Sequence, residues 1–108
     1  MSQTIAIILR FRKGEAQHFE QLFEDEILPQ WIQYKAQEKF LSASLTTVED
    51  GMDTKEDMRD YILHVEVPSM DEHKEFDSSS PFLAFLDKAK PLQPEEPQVW
   101  LGTTLFQV

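Results

Sequence analysis

Hydrophobic and polar positions follow two periods along the chain, and the places where the period changes mark its elements. Thr4–Phe11 (TIAIILRF) is rich in β-branched residues and predicts a strand largely buried on both faces, hence a central one. From Glu15 onward Phe19, Leu22, Phe23, Ile27, Trp31 and Tyr34 recur at spacings of three or four, the apolar stripe of a helix reaching about Glu38. Pro29 falls inside that stretch. It lacks a donor and crowds the carbonyl of Asp25, which predicts a kink or a helix in two pieces. Phe40–Val48 then sets Leu41, Ala43, Leu45 and Thr47 against Ser42, Ser44 and Thr46, the alternation of a half-covered strand.

Glu49–Arg59 (EDGMDTKEDMR) has no apolar period and predicts an exposed hairpin loop. Its aspartates do not follow EF-hand spacing, so a solvated loop is expected rather than a calcium site. Tyr61, Leu63, Val65 and Val67 alternate with Ile62, His64 and Glu66 as a third strand. Ser69 with Glu72 forms a capping-box pattern that opens a short helix towards Phe76, and Asp77–Ser80 breaks it. Ser80 and Pro81 read as the cap and first turn of a further helix through Phe82, Phe85, Leu86 and Ala89. Pro91, Pro94 and Pro97 stop that helix, and Gln98–Val108 reads as the last strand.

The order strand, helix, strand, strand, helix, strand predicts an α+β, ferredoxin-like βαββαβ domain, a four-stranded antiparallel sheet with its helices on one face. The chain of 108 residues is expected to form one such domain, since it suffices for one core and is short for two. The uncovered face would carry Ile8, Ile62, Trp100 and Phe106 among Arg10, His64, Glu66 and Thr104, too apolar a set for a solitary monomer. A homodimer through the sheet face is therefore expected.

Twenty acidic against ten basic side chains give a formal charge of −10, which repels phosphate backbones and anionic headgroups and argues against nucleic acid and membrane partners. No cysteine occurs, which excludes disulfides, thiolate nucleophiles and zinc–thiolate sites. The first residues have neither the order nor the length of a signal peptide, and a cytoplasmic setting is expected. Gly14, Gly51 and Gly102 are the only glycines, so no phosphate-cradling fingerprint can be written, and no Gly-x-Ser-x-Gly turn supports a serine nucleophile. No cofactor is expected, and no histidine spacing brings two imidazoles onto one helical face for a metal.

With its strand order and apolar sheet face, the chain resembles the dimeric α/β-barrel superfamily, in which two ferredoxin-like sheets pack face to face. Within it, Met70–Leu86 (MDEHKEFDSSSPFLAFL) resembles the second-helix region of antibiotic-biosynthesis-monooxygenase-like domains, with a His, a Ser-Pro pair and an aromatic-rich helix. The position that family commonly gives to His falls at Phe76 or Asp77, and His73 lies about one helical turn earlier. The resemblance implies a mixed set of activities, among them cofactor-free oxygenation, haem degradation, cyclisation and isomerisation.

Two candidate bases stand out: His73, at the expected rim of a cleft between helices and sheet, and His64, beside Glu66 on one strand face. His18 sits in an acidic stretch outside the helix stripe. Trp31, Tyr34, Phe76 and Trp100 are the candidates to hold a flat, hydrophobic molecule, with core packing as the competing role for each. The two functional readings are a cofactor-independent monooxygenase-like enzyme acting on a small hydrophobic or aromatic molecule, and a non-catalytic dimeric module for a small ligand or a protein partner.

Overall fold

The computed structural model describes residues 1–108. Its elements run β1 (Gln3–Arg12), α1 (Lys13–Glu26), α2 (Leu28–Ala36), β2 (Ser42–Thr47), β3 (Met58–Val67), α3 (Met70–Asp77), α4 (Ser80–Ala89), a 3-10 turn (Lys90–Leu92) and β4 (Gln98–Thr103). The strands form one sheet in the order β2-β3-β1-β4, every neighbouring pair antiparallel. This is the expected ferredoxin-like topology, with the long β-branched strand β1 at the centre.

The helical half follows the apolar stripe. Phe19, Phe23, Ile27 and Trp31 are all buried against the sheet residues Ile5, Leu9, Phe11, Tyr61 and Val65. The helix comes in two pieces, broken at Ile27, so Pro29 sits in the first turn of α2, where its missing N–H does no harm. No residues separate β1 from α1: Arg12 ends the strand and Lys13 begins the helix. Phe11 and Phe19 stack across that junction with ring centroids 4.0 Å apart.

Several boundaries differ from expectation, each for a local reason. α2 ends at Ala36 because Glu38 turns left-handed at φ 60°, with Lys39 N–H donating to Tyr34 O at 2.9 Å and Glu38 N–H to Lys35 O at 3.0 Å, a Schellman closure. β3 starts three residues early, at Met58, because β1 extends to Arg12 and pairs it. The cap of α4 is Ser79, whose hydroxyl oxygen accepts from Phe82 N–H at 3.4 Å, and Ser80 is the first helical residue. Ser69 caps α3 as expected, accepting from Asp71 N–H and donating to Glu72 Oε2 at 2.6 Å.

The last strand is the largest departure, since β4 ends at Thr103 and the following residues leave the ladder. Thr104 N–H donates to Ser2 O at 3.0 Å, and Gln107 Nε2 reaches Glu66 on β3. The tail thus crosses the uncovered sheet face. Ser2 Oγ donates to the same Glu66 carboxylate at 2.9 Å, which explains how an acidic side chain can be 3% exposed on that face. Trp100 and Phe106 remain 65% and 93% exposed, and Ile62 on β3 is exposed as well.

Candidate functional site

The space between helices and sheet is not filled. A cleft of about 640 Å³ opens there, walled by Ile5, Ile7 and Leu9 of β1, Phe23 of α1, Trp31 of α2 and the aromatic residues of α3 and α4. That is within the range of cavities that enclose small ligands, roughly 300–1,000 Å³. Its walls are locked by aromatic pairs: Phe23 meets Trp31 edge-on at 5.0 Å, Phe76 lies 5.1 Å from Phe82, and Phe40 lies 5.2 Å from Phe76. Such pairs hold ring orientation by about 0.5–1.5 kcal/mol each beyond burial, so the cavity is bounded by side chains that resist collapse into it.

The polar groups of the cleft come from α3 and from the segment between α4 and β4. His73 and Asp77 line the cleft from α3, with Nε2 of the imidazole 3.2 Å from Oδ2 of the carboxylate. The two residues are four apart, which puts them on one helical face. The His73 side chain is 17% exposed and that of Asp77 45%, so the imidazole is the more sheltered partner. Burial holds the Asp77 carboxyl above the usual carboxylate range, and the neighbouring His73 offsets part of that rise. Lys90, Gln93, Glu95 and Glu96 complete the rim from the segment between α4 and β4.

The structure brings His73, Trp31 and Phe76 together along this cleft. It places His64 and Trp100 on the opposite face of the sheet, where His64 pairs across β1 with Ala6 and across β2 with Ser44, and Trp100 pairs with Ala6 from β4. The sheet itself separates them from His73. Tyr34 stands behind the wall, its ring 5.0 Å from Phe40 and 5.2 Å from Phe76 with Lys39 Nζ over its face at 5.3 Å. Burial and the adjacent Glu75 push the Tyr34 phenol up, so it stays protonated. His18 is exposed on α1 beside Glu15.

The rim acids Glu95 and Glu96 were not among the residues the sequence singled out, and Asp77 was named only as a place where the resembled family commonly has His. The available signal was the four-residue spacing of His73 and Asp77, which the run Asp77–Ser80 disguises as a plain helix break. Phe82 and Phe85 are partly and fully buried respectively, and both line the cavity. Val99 faces the cleft from β4, yet it is 52% exposed because no helix covers that edge of the sheet. No three acidic or histidine side chains converge as a metal centre.

No family model and no curated protein sequence matches the chain. Solved structures do. A provisionally named antibiotic biosynthesis monooxygenase from Caulobacter crescentus superposes with a TM-score of 0.75 at 22% identity, covering 97% of this chain and 91% of its own. One so described from Nitrosomonas europaea gives 0.78 at 8% identity over 97% and 91%. A dimeric ferredoxin-like protein from an uncultured marine organism gives 0.79 at 9% identity over 99% and 90%. At these identities the likeness is one of architecture, and the chain is a ferredoxin-like α+β domain built as those monooxygenase-like and dimeric ferredoxin-like structures are built.

Proposed function

We propose that the chain is a cofactor-independent monooxygenase-like enzyme acting on a small hydrophobic or aromatic molecule in the cleft, and that it works as a homodimer paired through the open sheet face. One observation carries the catalytic half: His73 and Asp77 meet on the wall of a 640 Å³ cavity that is otherwise largely apolar. A carboxylate 3.2 Å from Nε2 favours a proton on that nitrogen and leaves the lone pair on Nδ1, the state of a general base. In such a reaction His73 takes the proton of a phenolic hydroxyl or of a methylene between aromatic rings. The electron-rich anion reacts with dioxygen, one oxygen atom staying on the attacked carbon as a carbonyl while the other leaves as water, with both methylene hydrogens in the one case and with the hydroxyl hydrogen and that of the attacked ring carbon in the other. Trp31, Phe76 and Phe82 supply the faces against which a flat ring lies. The dimer half rests on the exposed Ile62, Trp100 and Phe106.

The test is dioxygen uptake with a panel of hydroquinones, anthrones and naphthols, read beside direct binding. The parent should consume dioxygen with at least one member, and His73→Ala should lose that uptake by roughly a hundredfold or more while still binding the compound. Binding without uptake by the parent would replace the enzyme with a ligand-binding module, the second reading of the sequence.

A further inference from the structure

The cleft has a charge pattern as well as a shape. Asp77, Glu95 and Glu96 place three carboxylates on its lining against the single ammonium of Lys90. Glu95 has Arg10 Nη1 3.2 Å from its Oε1, which leaves Asp77 and Glu96 as the acids that no arginine or lysine pairs. Apart from His73 and Gln93 the rest of the lining is aliphatic and aromatic, a surface with little to solvate an incoming anion. Asp77 is already in a setting where burial disfavours its charge, so a second negative group nearby adds repulsion and a neutral or positive one relieves it. The chain as a whole, at −10, biases the approach in the same direction.

We propose that the cleft selects by charge, taking apolar ring compounds whose polar end is a hydroxyl or an amine and turning away carboxylates built on the same skeleton. This rests on the cleft being a ligand site, and it assigns the rim residues Asp77 and Glu96 the role of specificity determinants. Lys90 is the one ammonium on the rim that could recruit an anion. It stands at the start of the 3-10 turn, on the same segment as Glu95 and Glu96, while Asp77 comes from α3.

A matched series tests it: naphthalenemethanol, naphthylmethylamine and naphthoate, followed near neutral pH through the fluorescence of Trp31 and by calorimetry. The alcohol and the amine should bind at least about tenfold more tightly than naphthoate. The gap between amine and naphthoate should shrink in high salt and in the double variant Asp77→Asn, Glu96→Gln, with folding checked by circular dichroism. If naphthoate binds as tightly as the others or better, charge selection is overturned while the cleft stands as a binding site. If that advantage disappears in Lys90→Gln, the recognition group is the ammonium and not the carboxylates. If no member of the series binds, the reading of the cleft as a ligand site falls and the selection falls with it.

Discussion

Arg10 and Asp60 face each other across β1 and β3 in a two-pronged pair, Nε donating to Oδ1 at 2.7 Å and Nη2 to Oδ2 at 2.9 Å, with both side chains nearly buried. The same guanidinium donates to the Asp53 carbonyl at 2.6 Å and reaches Glu95 on the cleft rim. One residue on the open face therefore steadies both the β2–β3 loop and the segment that closes the cleft. Removing Asp60 leaves a sheltered cation without its main partner. Asp60→Ala should lower the unfolding free energy by about 3 kcal/mol in a urea titration, and a loss below about 1 kcal/mol would make the pair ornamental.

Asp77 offers a stability test with a definite sign. Its folded-state value is raised, so the folded chain holds the proton more readily than the unfolded one and ionisation opposes folding. That opposition is fully present above the folded-state value and fades as the pH falls towards the unfolded value near ~4. Asp77→Asn should melt at or slightly above the parent near neutral pH, by less than about 1 kcal/mol for so exposed a carboxyl, and the difference should close at about pH 3.5. A lower melting point at neutral pH would show attraction to His73 outweighing desolvation.

Glu38 occupies a backbone position that favours glycine, at φ 60°. Because Schellman bonds fix that conformation at the end of α2, Glu38→Gly should leave the structure unchanged. The relief of strain exceeds the added freedom of the unfolded chain, and a gain of up to about 1 kcal/mol is expected in thermal unfolding. A loss of stability would mean that the Glu38 side chain holds the turn.

The neighbouring serines before α4 separate the same way. Ser79→Ala removes the cap and should cost about 1 kcal/mol, whereas Ser80→Ala should change stability by less than about 0.5 kcal/mol. Equal effects from the two variants would move the cap.

On the open face Trp100→Glu puts a charge into the proposed dimer contact without touching the core, since Trp100 is 65% exposed. The parent should sediment at about twice the 12.6 kDa chain mass and the variant at the chain mass, with matching circular dichroism. A monomeric parent at micromolar concentration would end the dimer proposal.

Much of this architecture is written in the residue pattern, because burial enforces period. The stripe Phe19, Phe23, Ile27, Trp31 and the alternation of Tyr61, Leu63, Val65, Val67 could be placed on faces before any coordinates, and the strand order followed from the sequence of elements. The same alternation sets His64 and Trp100 on the face away from the helices, so one cleft cannot use them together with His73. What local pattern could not show was the tail leaving β4 at Thr104. QVWLGTTLFQV alternates throughout; Thr104 still donates to Ser2 in the β1–β4 register, and the residues beyond it turn to a distant partner, Glu66. The cavity was hidden for a related reason. Whether Trp31 and Phe76 fill a core or line a hollow depends on how far apart α2, α3 and α4 stand, a quantity no periodicity encodes.

The direct passage from β1 into α1 makes the phase of the helix a property of the strand. With no intervening residues to absorb a change, inserting one residue after Arg12 would turn every later position of the helix by about 100° about its axis. Phe19 would swing away from Phe11, and Phe23 would be carried off the cleft wall on the same helix. The register that pairs β1 with its neighbours thus also aims the aromatic wall of the site, and shape at the cleft is inherited from a junction far from its mouth.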